Sequence, residues 1–197
     1  MSITLDGTAG VTTPAITGTT GTFSGALTAN GLTGNLYPLV TGTVNAGGTN
    51  PFPVSGGPTS VDFTGIPSWA KRVTVMFNGV STTGTSIIQL QIGTSSSVAL
   101  SGYSGGYQQG TTTSALTTGI ALCPFTSATT INIGSFRVEN ITGNTWVVTG
   151  INSVSTPSVS LSAGSITLSG VLDRVRITTV NGTDTFDAGS INIMWEG

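Results

Sequence analysis

The segment Arg72-Val73-Thr74-Val75-Met76-Phe77 sets Val73, Val75 and Phe77 on one side of an extended chain and Arg72, Thr74 and Met76 on the other. Side chains alternate with period two in a strand, so this stretch predicts a half-buried β-strand. The alternation returns downstream. Ile88, Leu90 and Ile92 alternate with Gln89 and Gln91. Ile131 and Ile133 alternate with Asn132 and Gly134 and lead into Phe136-Arg137-Val138. Ile166 and Leu168, Val175 and Ile177, and Ile191, Ile193 and Trp195 each alternate with polar neighbours, and Thr145-Trp146-Val147-Val148-Thr149 is β-branched and aromatic. Turn signals separate the runs: Asn78-Gly79, Thr83-Gly84, Thr142-Gly143-Asn144, Ala163-Gly164, Asn181-Gly182 and Ala188-Gly189. Roughly eight to ten short strands and no helical period predict an all-β domain over residues 59–197, an antiparallel, jelly-roll-like β-sandwich.

Upstream the pattern changes. Residues 37–58 gather Pro38, Pro51, Pro53 and Pro58 with Gly42, Gly47, Gly48, Gly56 and Gly57, which predicts a hinge. Residues 1–36 carry a single charge, Asp6, and glycines every few residues, with isolated apolar side chains at Ile3, Leu5, Val11, Ile16, Phe23, Leu27 and Leu32. Frequent Gly and Thr disfavour a helix. One such chain builds no core, whereas several wound together bury these apolar positions inward. The regular placing of Ile, Leu and Phe favours an extended, β-rich oligomerisation stalk over the alternative, a flexible Gly/Thr linker.

Composition removes whole classes of function. The 197 residues hold five Lys and Arg, seven Asp and Glu, and no His. Five dispersed cations and an isoelectric point near 4.6 give no footprint for nucleic acid. With no His and one Cys, Cys123, neither histidine catalysis nor a zinc centre is expected, and no cofactor or metal site is predicted. Thr, Ser and Gly, at 37, 23 and 29 residues, give a surface like that of an extracellular or assembled β-protein. Yet Met1-Ser2-Ile3-Thr4-Leu5-Asp6-Gly7 has neither the basic nor the apolar region of a secretory signal, which predicts synthesis in the cytoplasm without export.

Two motifs imitate catalysis. Gly102-Tyr103-Ser104-Gly105-Gly106 matches the G-x-S-x-G elbow of hydrolases, and Ser68-Trp69-Ala70-Lys71 matches the S-x-x-K of acylating enzymes. The first lacks a His base and a following helix, and the second lacks its companion motifs, so no catalytic residue is assigned and the chain is expected not to be an enzyme. Asp184 and Asp187 read as turn residues rather than calcium ligands. Arg174 and Arg176, beside Asp173, read as a solvated edge or a surface ion pair, or as an inter-chain contact. The loop Ser101–Gly110 offers Tyr103, Tyr107, Gln108 and Gln109 among glycines. Aromatic faces with polar tips, beside amides that both donate and accept, suit the binding of a receptor at the end of the sandwich.

Two segments carry a resemblance. Phe63-Thr64-Gly65-Ile66-Pro67-Ser68-Trp69-Ala70-Lys71-Arg72 with its continuation to Val80, and Asp173-Arg174-Val175-Arg176-Ile177 with its continuation to Ile193, resemble the C-terminal domain of tailed-bacteriophage tail fibres and related virion proteins. The opening Ser2-Ile3-Thr4-Leu5-Asp6-Gly7-Thr8-Ala9-Gly10-Val11 is similar to the start of short phage fibre proteins. The resemblance implies a homotrimer with an N-terminal attachment stalk and a β-sandwich tip. It implies a structural virion protein, assembled in the host cytoplasm and resident in the tail. Its N-terminus would dock to a tail or baseplate protein, and its tip would bind a host-surface glycan or protein without entering the membrane. Lysis releases such a protein, so no signal peptide is needed. The alternative is a capsid decoration or cement protein.

Overall fold

The computed structural model describes residues 39–41, 43–44, 52, 55–123, 127–155 and 158–197. The chain divides into two compact units, Met1–Gly34 and Asn35–Gly197, and every described residue belongs to the second. The stalk positions Ile3, Leu5, Val11, Ile16, Phe23, Leu27 and Leu32 lie outside the described residues.

In chain order the strands are β1 (Leu39–Thr41), β2 (Thr43–Val44), β3 (Ser60–Phe63), β4 (Arg72–Thr82), β5 (Ile88–Gly93), β6 (Ser104–Gln109) and β7 (Thr112–Ala115). They continue as β8 (Ile120–Cys123), β9 (Asn132–Thr142), β10 (Thr145–Val154), β11 (Ser158–Thr167), β12 (Arg174–Thr179) and β13 (Phe186–Glu196). No helix occurs among the described residues. The larger sheet runs β1-β13-β4-β9-β10-β11-β6-β7 and the smaller β2-β3-β12-β5-β8, with antiparallel pairing throughout. An all-β, sandwich-like domain is thus as expected.

The predicted alternation decides which side chains meet. Val73, Val75, Phe136, Val138 and Ile193 of the larger sheet share one buried cluster with Phe63, Leu90, Ile92, Val175 and Ile177 of the smaller. Each such side chain contributes about 1.5–3 kcal/mol on leaving water. Phe77 and Phe136 stack at 5.9 Å between ring centres. Phe136 also lies where a side chain at Gly150 would stand: a Cβ there would come within 2.2 Å of its ring, so the glycine makes room for the phenyl group.

The structure differs from the expectation at several places. Leu39–Thr41 and Thr43–Val44, within the predicted hinge, are strands paired with β13 and β3. Asn78-Gly79 and Ala188-Gly189 read as turns but lie inside β4 and β13. Both glycines have positive φ, the pairing slips by a residue beside each, and a Cβ on Gly189 would stand 2.3 Å from the Gly79 backbone. A left-handed glycine serves a β-bulge as well as a turn, and here two bulges face each other. Ala163-Gly164 likewise lies within β11, whereas Gly143-Asn144 and Asn181 do sit in turns.

Arg174 and Arg176 are on β12, the central strand of the smaller sheet and not an edge. The Arg176 guanidinium donates to both carboxylate oxygens of Asp62 across the β12–β3 pair, at 2.6 and 2.8 Å, and Asp173 stands 3.7 Å from Arg174.

Candidate functional site

The predicted binding loop is where sequence and structure part most. Ser104–Gln109 is not a loop but strand β6, paired with β11 on one side and β7 on the other. Its glycines obscure any alternation, and of its two partners β11 lies more than 50 positions away while β7, joined to it through the turn at Gly110, is itself polar and shows no alternation of its own. Tyr103, just before β6, is only 3% exposed. Its hydroxyl accepts the Ile92 N–H at 2.8 Å and lies 3.1 Å from the Ala99 carbonyl oxygen, to which it donates. Burial pushes its pKa up to about 12. Tyr103 is therefore a structural fastener and has no surface to offer a receptor. Tyr107 and Gln109 pair with Ser162 and Ser160 on the inward-facing side of β11, and Gln108 faces outward beside Leu161.

The outward face of the larger sheet gathers what the sequence leaves scattered. Register places Ser135, Ile151, Leu161, Gln108 and Thr113 in one row across β9, β10, β11, β6 and β7. The next row is Arg137, Thr149, Ala163, Gly106 and Ala115. Three of these five are Gly or Ala, so this row is low where the first is tall. The result is an open groove of about 710 Å³ across the five strands, bordered also by Tyr107 and Ser114. That size falls within the range of small-ligand sites. The β6–β7 hairpin is exposed or half-exposed on both faces, so this end of the larger sheet is left open.

Apolar side chains crowd beside the groove. Ile133, Ile151, Val159 and Leu161 are each 50–54% exposed. They form a patch over two neighbouring rows, because Ile151 pairs with Leu161 while Ile133 and Val159 both pair with Ser153. Single exposed apolar residues are ordinary, but a contiguous group marks a surface that meets something.

Charge is distributed unevenly on the same face. Arg72 is held by Glu139 at 2.8 Å and by Glu196, whose hydrogen bonds push its pKa above the usual arginine value. Arg137, one strand and one row away, is exposed and has no carboxylate within ion-pair distance among the described residues. Its neighbours across the ladder are Thr74 and Thr149.

The remaining motifs are absorbed by the fold. Ser104 opens β6, and Ser68 and Trp69 lie in the turn before β4. Asp184 accepts the Ser86 N–H at 2.9 Å and the Asn181 amide at 2.7 Å, and Asp187 accepts the Ser81 hydroxyl. Among the described residues no three His, Cys, Asp or Glu side chains stand close enough to hold a metal. Trp146 and Trp195 are buried, but Trp69 is half exposed.

Comparison with protein-family models, with curated proteins and with solved structures gave no match for this chain. The likeness to phage fibres rests on the quoted segments alone.

Proposed function

We propose that this chain is a structural virion protein, a phage tail fibre that attaches the particle to its host through the outward face of the larger sheet. The observation that carries the reading is the groove and the apolar patch beside it, a ready binding surface in a domain whose polar motifs are taken up by its own turns. Composition supports it too: a Thr-, Ser- and Gly-rich β-protein with few charges suits an assembled extracellular particle. In this reading the protein is a homotrimer, residues 1–36 wind three chains together and dock to a tail or baseplate protein, and the sandwich meets a host-surface glycan or protein. It performs no catalysis. Three copies per fibre and several fibres per particle make weak contacts effective by avidity.

The test is imaging of phage particles that carry the gene, labelled with an antibody against the chain. Label at the tail, with purified protein blocking adsorption to cells and scattering at a trimer mass, supports the reading. Label over the head would make the chain a capsid decoration protein, and a monomer at micromolar concentration would remove the trimeric stalk.

A further inference from the structure

We propose that the groove on the larger sheet binds an acidic oligosaccharide, one of whose anionic groups, carboxylate or phosphate, pairs with Arg137. This deepens the attachment reading above and rests on it. Three observations lead there.

The first is charge. Arg72, Arg174 and Arg176 each have a carboxylate partner, and Arg137 has none among the described residues. Arg137 is also the single charged residue of the groove lining. Its planar fork matches a carboxylate or phosphate through two parallel hydrogen bonds.

The second is shape. The low row of Thr149, Ala163 and Gly106 leads away from Arg137 across three further strands. At the usual strand spacing this is a run of about 14 Å, which suits a short chain of sugars better than a single anion.

The third is the chemistry of the walls. Ile151 and Leu161 present apolar surface to the C–H faces of a sugar ring, while Thr149, Gln108 and Thr113 offer hydroxyl and amide groups to its hydroxyls. No carboxylate lines the groove, so nothing in it repels an anion. An unpaired arginine beside hydroxyls and aliphatic walls fits a charged sugar better than an apolar peptide.

The experiment is titration calorimetry on the full chain with three probes: trigalacturonate, a phosphodiester-linked glucose oligomer and neutral maltotriose. At least one acidic probe should bind about tenfold or more tightly than maltotriose, more weakly as salt rises. The acidic arm that responds tells carboxylate from phosphate. Arg137→Gln should remove that preference, bringing the acidic probe down to the affinity that the same variant shows for maltotriose while the unfolding midpoint holds, and Arg137→Lys should restore part of it. Equal binding of acidic and neutral probes, no binding of either acid, or an Arg137→Gln variant that behaves like the parent would each overturn the assignment. So would a Leu161→Asp variant that falls to a smaller oligomer, because the face would then be a contact between copies. Adsorption blocking by the same preparation separates two failures. Protein that blocks adsorption but ignores acidic sugars sinks the ligand alone, and protein that does not block adsorption sinks the attachment reading itself.

Discussion

The Tyr103 hydroxyl accepts the backbone N–H of Ile92 at 2.8 Å, tying the entry to β6 in one sheet to β5 in the other. The neighbouring strand β8 reaches only from Ile88 to Leu90, so Ile92 has no ladder partner on that side. The Ala99 N–H takes its carbonyl and Tyr103 its amide, which completes the backbone pairing of a buried residue.

This contact predicts an alkaline weakness. Burial raises the Tyr103 pKa from 10.0 to about 12, so the folded state holds the phenol proton more tightly than the unfolded state. The contribution is complete below pH 10 and is lost as pH rises toward 12, an effect of about 2–3 kcal/mol. Tyr103→Phe should flatten this dependence and cost about 1–3 kcal/mol at neutral pH, since the Ile92 N–H loses its acceptor. Urea midpoints from pH 8 to 11.5 measure both effects; parallel pH profiles for the two proteins would contradict them.

The Asp62–Arg176 pair should outweigh the more exposed Arg72–Glu139 pair. Two hydrogen bonds at 2.6 and 2.8 Å hold Arg176 on a side chain that is mostly covered, and they raise its pKa. A double-mutant cycle with Asp62→Asn and Arg176→Gln should give about 1–2 kcal/mol of coupling after allowance for solvent screening, and the Arg72–Glu139 cycle less. Equal couplings would show that the difference in burial has no energetic weight.

Gly150→Ala should destabilise the domain by about 1–3 kcal/mol, because the new methyl meets the fully buried Phe136 ring at 2.2 Å and neither can withdraw. Combining it with Phe136→Leu should recover part of the loss. Thermal melts of the two variants decide; an unchanged midpoint for Gly150→Ala alone would mean the ring has somewhere to go.

Much of the sandwich is legible in the sequence for a definite reason. β4, β5, β9, β12 and β13 alternate apolar and polar residues because one face of each meets the core. β6 does not, since Gly105 and Gly106 interrupt it and both of its faces are open to water. The bulges at Gly79 and Gly189 carry the signature of turns, and only the pairing of β4 with β13 distinguishes the two. The groove is less legible still. It depends on bringing Arg137, Thr149, Ala163 and Gly106 into one row, and a shift of one residue in any of three pairings would turn that row to the core. Of the residues read as receptor contacts, Gln108 and Tyr107 border the groove, while Tyr103 is claimed by the core through a partner eleven positions away.

The central claim is that the outward face of the larger sheet is the surface that meets the host. Its most direct test is retention of fluorescently labelled full-length protein on host cells, parent against an Ile151→Ser, Leu161→Ser double variant. Both side chains are half exposed, so the variant should keep its fold and its scattering mass. Their loss removes the apolar wall of the groove, and retention should fall about tenfold or more as the loss repeats over the copies in a fibre. A folded variant of unchanged mass that stays on cells as well as the parent would contradict the account.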